Sequence, residues 1–271
     1  MAVASGSRID RETLREHLVR TRIAGEVATS REANLANFRL MVARDPGYQF
    51  GIRLRDWTFE ETLAIMARLC GVSPDPAHER GVDTIDPDRT IDALDAMAER
   101  LAHAARRRST VLFATGHPAT LMGIYRAVAD KLRTAGCAIP TPAENWSYAS
   151  STDGLKYREI AYTSGVAALV SKDGEYRHTH DPQPMQAILT ELRGTGTWPD
   201  LVMADHGWAG AAGEAGIETV GFADCNDPAL FAGQAEGKIA VTVPLDDGVL
   251  PSHYRPLITY LLDRAGLGDT P

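Results

Sequence analysis

Apolar positions recur at helical spacing over roughly the first hundred residues and in short continuous runs after that. Asp10 precedes RETLREHLVRTRI and Ser30 precedes REANLANFRLMVAR, while Asp56 or Thr58 precedes a helix carrying Phe59, Leu63, Ile65, Met66 and Leu69. Each of these helices therefore starts next to a side chain able to cap it. A fourth helix opens at Asp86 with Pro87 in its first turn and carries Ile91, Leu94, Met97 and Leu101. It closes on Arg106, Arg107 and Arg108, whose charge suits a helix carboxyl end. Between the second and third helices, GYQFGIRLRDW is expected to be a short strand or hairpin arm.

From Ser109 the rhythm becomes strand, loop, helix. TVLFAT, the turn GHP and the helix ATLMGIYRAVADKLRTAG form one such unit, closed by Gly136. CAIPTPAENW is expected to be the next strand leading into a loop. GVAALVSKDGEYRHTH is expected to be a hairpin turning at Asp173-Gly174. The helix PMQAILTELRG, the strand LVMAD, the small-residue helix WAGAAGEAG, the strand TVGFAD, a loop, the strand IAVTVP and the helix YRPLITYLLDRAG complete the chain. This alternation predicts an α/β protein: an N-terminal helical layer (1–108) followed by a doubly wound, mostly parallel, Rossmann-like sheet (109–271).

A chain of 271 residues can bury a full core. The net charge of −8 argues against nucleic acid as a partner and leaves small anionic substrates open. Cys70, Cys137 and Cys225 are widely spaced and contain no CxxC pair, which fits a reducing cytoplasm; Cys225 lacks the surroundings of a nucleophilic thiol and reads as packed. MAVASGSRIDRETL has no signal-peptide pattern and no stretch reaches the length of a membrane span, so secretion and membrane insertion are not expected. A homo-oligomer remains compatible with the sequence.

The chemistry gathers where the second-half strands stop. In a parallel sheet those ends share the carboxyl edge, where open α/β folds place their ligands. The first loop there holds Thr115, Gly116 and His117, a turn into a helix start that suits a phosphate. The second holds Asp205 and His206, with Asp205 either a metal ligand or simply a helix cap. The third holds Asp224, Asn226 and Asp227, either a cation site or an Asx turn before Pro228, and the fourth holds Asp246 and Asp247, of which at most one is expected to ligate. His178 and His180 alternate along a strand and so share a face, at a spacing that suits metal or substrate. Arg31, in the helical layer, is expected to clamp a substrate phosphate if that layer covers the edge. No dinucleotide glycine fingerprint or Walker lysine is present.

Asp86-Pro87-Asp88-Arg89-Thr90 matches the DxDxT pattern of haloacid-dehalogenase-type phosphatases, but it opens an amphipathic helix, and capping accounts for it. TRIAGEVATSRE, DTIDP, LFATGHP, HTHDP, DLVMADHGWAG, FADCNDPALF and VPLDDGV together resemble an actinobacterial cytoplasmic family generally labelled "phosphatase". That resemblance spans nearly the whole chain and implies phosphatase activity without assigning a mechanism. The architecture is also similar to the damage-control metallophosphatases, whose Asp-Asn loop is replaced here by Gly116-His117.

The resulting expectation is a phosphatase acting on a small phosphomonoester with a divalent metal, Mg²⁺ or Mn²⁺. Asp205, Asp224, Asn226 and Asp227 are the expected metal ligands. His206 is the expected general base and His117 the group that contacts the phosphoryl or protonates the leaving oxygen; Thr115, Gly116, Arg31, His178 and His180 are expected at the substrate. Two alternatives stand beside it: an isomerase or lyase acting on a phosphorylated sugar, and a non-catalytic binder of nucleotides or phosphorylated metabolites.

Overall fold

The computed structural model describes residues 9–150 and 156–268; residues 1–8, the start of the segment read for a targeting signal, lie outside them. Among the described residues no helix is long and apolar enough to cross a membrane.

The predicted caps hold the helices of the first part. Helix α1 (Arg11–Arg20) starts at Asp10, whose carboxylate accepts from the Thr13 N–H. It ends earlier than its apolar pattern suggests: Arg22 turns at φ 60° and its guanidinium donates to the carbonyls of Glu26 and Val27, which opens strand β1 (Gly25–Ser30). Ser30 then caps α2 (Arg31–Val42). GYQFGIRLRDW forms no strand. Its first residues make the short α3 (Pro46–Gln49), after which Phe50 (φ 50°) and Gly51 (φ 77°) leave extended geometry altogether. Thr58 and Glu61 form a reciprocal capping box at α4 (Phe59–Leu69). GVDTI, a poor strand by its sequence, supplies β2 (Val82–Ile85), which pairs antiparallel with β1. Asp86 caps α5 (Pro87–Arg107), as predicted for the DxDxT segment.

The second part is built on strand β3 (Val111–Ala114) and helix α6 (Pro118–Thr134). CAIPTPAENW contributes only a bridge from Ala138 to Thr110, and the strands that follow are β4 (Ser147–Ser150) and β5 (Lys156–Thr163). The predicted hairpin forms from β6 (Val166–Val170) and β7 (Tyr176–Arg177). Then come α7 (Gln183–Thr195), β8 (Leu201–Met203), α8 (His206–Glu214) and β9 (Thr219–Ala223). The segment read as a loop after β9 contains a helix, α9 (Pro228–Ala235), before β10 (Val241–Pro244), a 3₁₀ turn (Pro251–Tyr254) and α10 (Arg255–Arg264).

The large sheet runs β10-β9-β8-β3-β6-β5-β4, with β7 paired to β6. From β10 to β6 every pair is parallel; β5 and β4 extend the sheet antiparallel. Helices α7, α8 and α9 pack side by side, and α5, α6 and α10 form a second packed group. Right-handed crossovers place these groups on opposite faces, so the connection from β3 leaves toward one face and that from β8 toward the other. The gap between β3 and β8 is therefore a topological switch point, and it lies under the residues described next. Buried apolar side chains from both sides of residue 108 form one continuous core.

Candidate active site

The loop after β3 is fixed by the loop after β8. The Gly116 N–H donates to Asp205 Oδ1 at 2.6 Å, and the Gly116 carbonyl accepts from the Thr179 N–H at 3.0 Å. A Cβ at Gly116 would stand 2.4 Å from the Thr179 carbonyl oxygen, so only glycine permits this three-way approach. The contact draws the HTH segment onto the sheet edge. The segment lies beyond the end of β7, not within a strand as expected, yet His178 and His180 face the same centre with ring centroids 4.8 Å apart.

Four imidazoles meet there. His206 stacks on His180 (4.9 Å) and lies 5.1 Å from His178 and 5.8 Å from His117. It opens α8 in the left-handed region, φ 48°, a strained choice for a residue with a side chain. That turn aims the ring inward. Its Nδ1 donates to Asp205 Oδ1 at 2.7 Å, leaving Nε2 3.3 Å from Asp227 Oδ2 and 3.7 Å from Asp247 Oδ2.

Asp205 and Asp227 stand at the starts of α8 and α9, but neither side chain caps its helix. The capping reading of Asp205 therefore lacks its hydrogen bond. Asp205 is fully buried behind His206; its Oδ2 has no hydrogen bond of good geometry, with the hydroxyls of Thr115 and Tyr125 beside it. Asp224 accepts from the Cys225 N–H at 2.6 Å and from Thr29 Oγ1 at 2.7 Å, and Asp246 accepts from the N–H groups of Ala28 (3.2 Å) and Gly248 (2.9 Å). Residues 28 and 29 lie in TRIAGEVATSRE, which carries the family resemblance but singles out neither of them for a role. Asn226 is held through its carbonyl, which accepts from Asn37 Nδ2.

Three donor groups form a chain: His178, His180 and His206; His206, Asp227 and Asp247; Asp224, Asp246 and Asp247. In each, the ligand atoms lie within 4.8 Å of one another. His206 and Asp247 link the groups. Both members of the 246–247 pair reach Asp224, whereas at most one was expected to ligate, because the turn closed by Gly248 directs them inward together.

The electrostatics follow from burial. Burial, then Asp246, pushes Asp224 up to about 7, and burial raises Asp247 well above the carboxylate range. Burial opposes charge on His206, but Asp227 and Asp205 outweigh it and raise its pKa well above the usual value. The other rings stay neutral: burial and His206 lower His117 and His180, and the same influences with His180 take His178 down to about 3. Crowded buried carboxylates around His206, with His117, His178 and His180 neutral beside them, are a donor set that a divalent cation fits.

Some expected residues serve otherwise. Thr115 and Gly116 turn their donors toward Asp205 and leave none for a phosphate. Arg31 is fully buried: its guanidinium pairs with Asp83 at 2.9 Å and donates to the carbonyls of His78 and Asp75, so it holds the 73–83 segment and does not clamp substrate. His117 keeps its place at the edge. Thr120 gives its single hydroxyl proton to the Asp247 carbonyl, so His117 Nδ1–H donates to Thr120 Oγ1 at 2.6 Å and the lone pair on Nε2 faces Asp247 Oδ1, 3.7 Å away.

A family model described as "Phosphatase" matches residues 9–269. The chain is 49% identical over 263 residues to Phosphatase SCO2771 of Streptomyces coelicolor, covering 95% of this chain and 97% of that protein. A match of this length, over the segments that build the site just described, places the chain in the phosphatase family.

Proposed function

We propose that this chain is a metal-dependent hydrolase of small phosphomonoesters, working at the carboxyl edge between β3 and β10. The observation that carries this reading is the chain of donor groups linked by His206 and Asp247. Asp224, Asp227, Asp246 and Asp247 hold a divalent cation, Mg²⁺ or Mn²⁺ by their oxygen donors. Such a cation supplies neutralisation of the phosphate charge and makes an attacking water more acidic. The residues do the rest. Asp205 fixes the His206 ring so that Nε2 turns toward the carboxylates. Asp227 and Asp205 favour the charged form of His206, so the base role expected of it passes to His117, which, neutral and with its lone pair on Nε2, takes the proton of the water. His178, exposed at the mouth, meets the substrate. The amino ends of α6, α8 and α9 converge on the edge and favour an anion there.

A cytoplasmic setting accords with three buried, unpaired cysteines. The test is a panel of sugar phosphates, nucleotides and simple aryl and alkyl phosphates, assayed for inorganic phosphate and, separately, for conversion without release. Phosphate release identifies the hydrolase and its substrate class. Conversion without release supports the isomerase or lyase alternative instead.

A further inference from the structure

The donor chain is chemically uneven. At one end, Asp224, Asp246 and Asp247 offer only oxygen; at the other, His178, His180 and His206 offer imidazole nitrogen. Two of those rings are already held as metal-binding imidazoles usually are, with the far nitrogen anchored on an acceptor. His206 donates Nδ1–H to Asp205 Oδ1 at 2.7 Å, and His180 donates Nδ1–H to the Gly47 carbonyl at 2.9 Å. Both Nδ1–H groups are thereby fixed; the Nε2 lone pair of His180 is free, whereas the Nε2 proton of His206, held by Asp227, is what a bound cation would displace. His178 makes no hydrogen bond among the described residues and lies with its ring 4.8 Å from that of His180 and 5.1 Å from that of His206.

The surroundings keep this arrangement in place. Phe50, itself buried, packs edge-on against His180 (4.9 Å) and tilted against His206 (5.3 Å), closing one side with an apolar wall. Gly207 lets α8 lie against the HTH segment: a Cβ there would be 2.3 Å from the His180 carbonyl oxygen. Asp227 Oδ2 lies 3.3 Å from His206 Nε2 and offers an oxygen donor beside the three rings.

We propose that His178, His180 and His206, with Asp227 shared from the carboxylate site as a further donor, form a second cation compartment selective for a borderline transition ion such as Zn²⁺ or Fe²⁺. The centre is then mixed, because imidazole favours these ions over Mg²⁺ while the all-carboxylate end does not. Asp247, shared between the donor groups, connects the two compartments as a carboxylate does in two-metal phosphatases. The inference rests on the metal-dependent reading above for its role in turnover, though not for its binding test.

The experiment is a titration of the chelator-treated full chain with Co²⁺ in excess Mg²⁺. It is followed by visible absorption and by metal content after gel filtration. The wild type should retain about one equivalent of Co²⁺ with a nitrogen-ligand absorption band, as an imidazole site does against a hard competitor. His178→Ala with His180→Ala, and separately His178→Gln, should lose that band and that equivalent while circular dichroism stays native, and Asp224→Asn should keep both. No Mg²⁺-resistant Co²⁺ in the wild type, or a band unchanged in the histidine variants, would overturn the proposal. A band without phosphate release from any substrate would uphold this compartment and sink the hydrolase reading. Release with Mg²⁺ and no band would do the reverse.

Discussion

Asp205 Oδ1 accepts the Nδ1–H of His206 at 2.7 Å while also accepting the Gly116 N–H at 2.6 Å, so one buried oxygen ties two strand-end loops together and sets the tautomer of the central imidazole. The carboxylate acts through His206. Asp205→Asn should retain the fold by circular dichroism and lower metal affinity or kcat by about 10–100-fold, the usual cost of removing an orienting carboxylate. Wild-type affinity and turnover in that variant would remove Asp205 from the account.

The carboxylates of Asp224, Asp246 and Asp247 repel one another in a buried place, and burial and Asp246 already push Asp224 up to about 7. In chelator, Asp224→Asn should therefore melt a few degrees higher than wild type, since it deletes one crowded charge. With Mg²⁺ or Mn²⁺ the order should reverse, because only the wild type gains the binding free energy. Calorimetric scans with and without metal read both signs.

Arg31 is a structural ion pair. Arg31→Ala leaves Asp83 buried without its partner and should cost about 3–5 kcal/mol in urea unfolding. Whatever folded protein remains should show the wild-type KM. A raised KM with unchanged stability would return Arg31 to the substrate.

At Gly116, an added methyl group would strike the Thr179 carbonyl at 2.4 Å and Asp205 Oδ1 at 3.1 Å. Gly116→Ala should push the HTH segment away from His117 and reduce kcat at least tenfold, with a smaller effect on KM. The atoms displaced orient the reacting groups, and small misplacements there are costly. Steady-state kinetics beside a melting curve separates this from simple unfolding.

The sequence makes the sheet edge legible because each parallel strand is an apolar run ending on a small or polar residue, as at Ala114-Thr115 and Ala204-Asp205. Helix α9 escapes the same reading: PALFAGQA is buried from Pro228 to Gly233, so it shows no polar face to reveal a helical period. Strand β5 is obscured for the opposite reason, with charged or polar residues at Lys156, Arg158 and Glu159 interrupting a partly exposed strand. The site residues His117, His206, Asp224 and Asp227 are visible as strand-end chemistry. What the pattern cannot express is partnership over long separations. Nothing local distinguishes Arg31, buried on Asp83, from a solvated arginine, or Thr29, bonded to Asp224, from an ordinary residue before a cap. The left-handed turn at His206 and the contact of Gly116 with Thr179 likewise exist only in the folded chain.

The most direct measurement is phosphate release by chelator-treated wild type and Asp247→Asn, before and after Mg²⁺ or Mn²⁺ is restored, on the best substrate from the panel. The account predicts no release without metal, recovery in the wild type on adding it, and no recovery in Asp247→Asn although its fold is intact, because Asp247 belongs to two of the three donor groups. Full turnover by the metal-free protein, or by Asp247→Asn with metal restored, would contradict it.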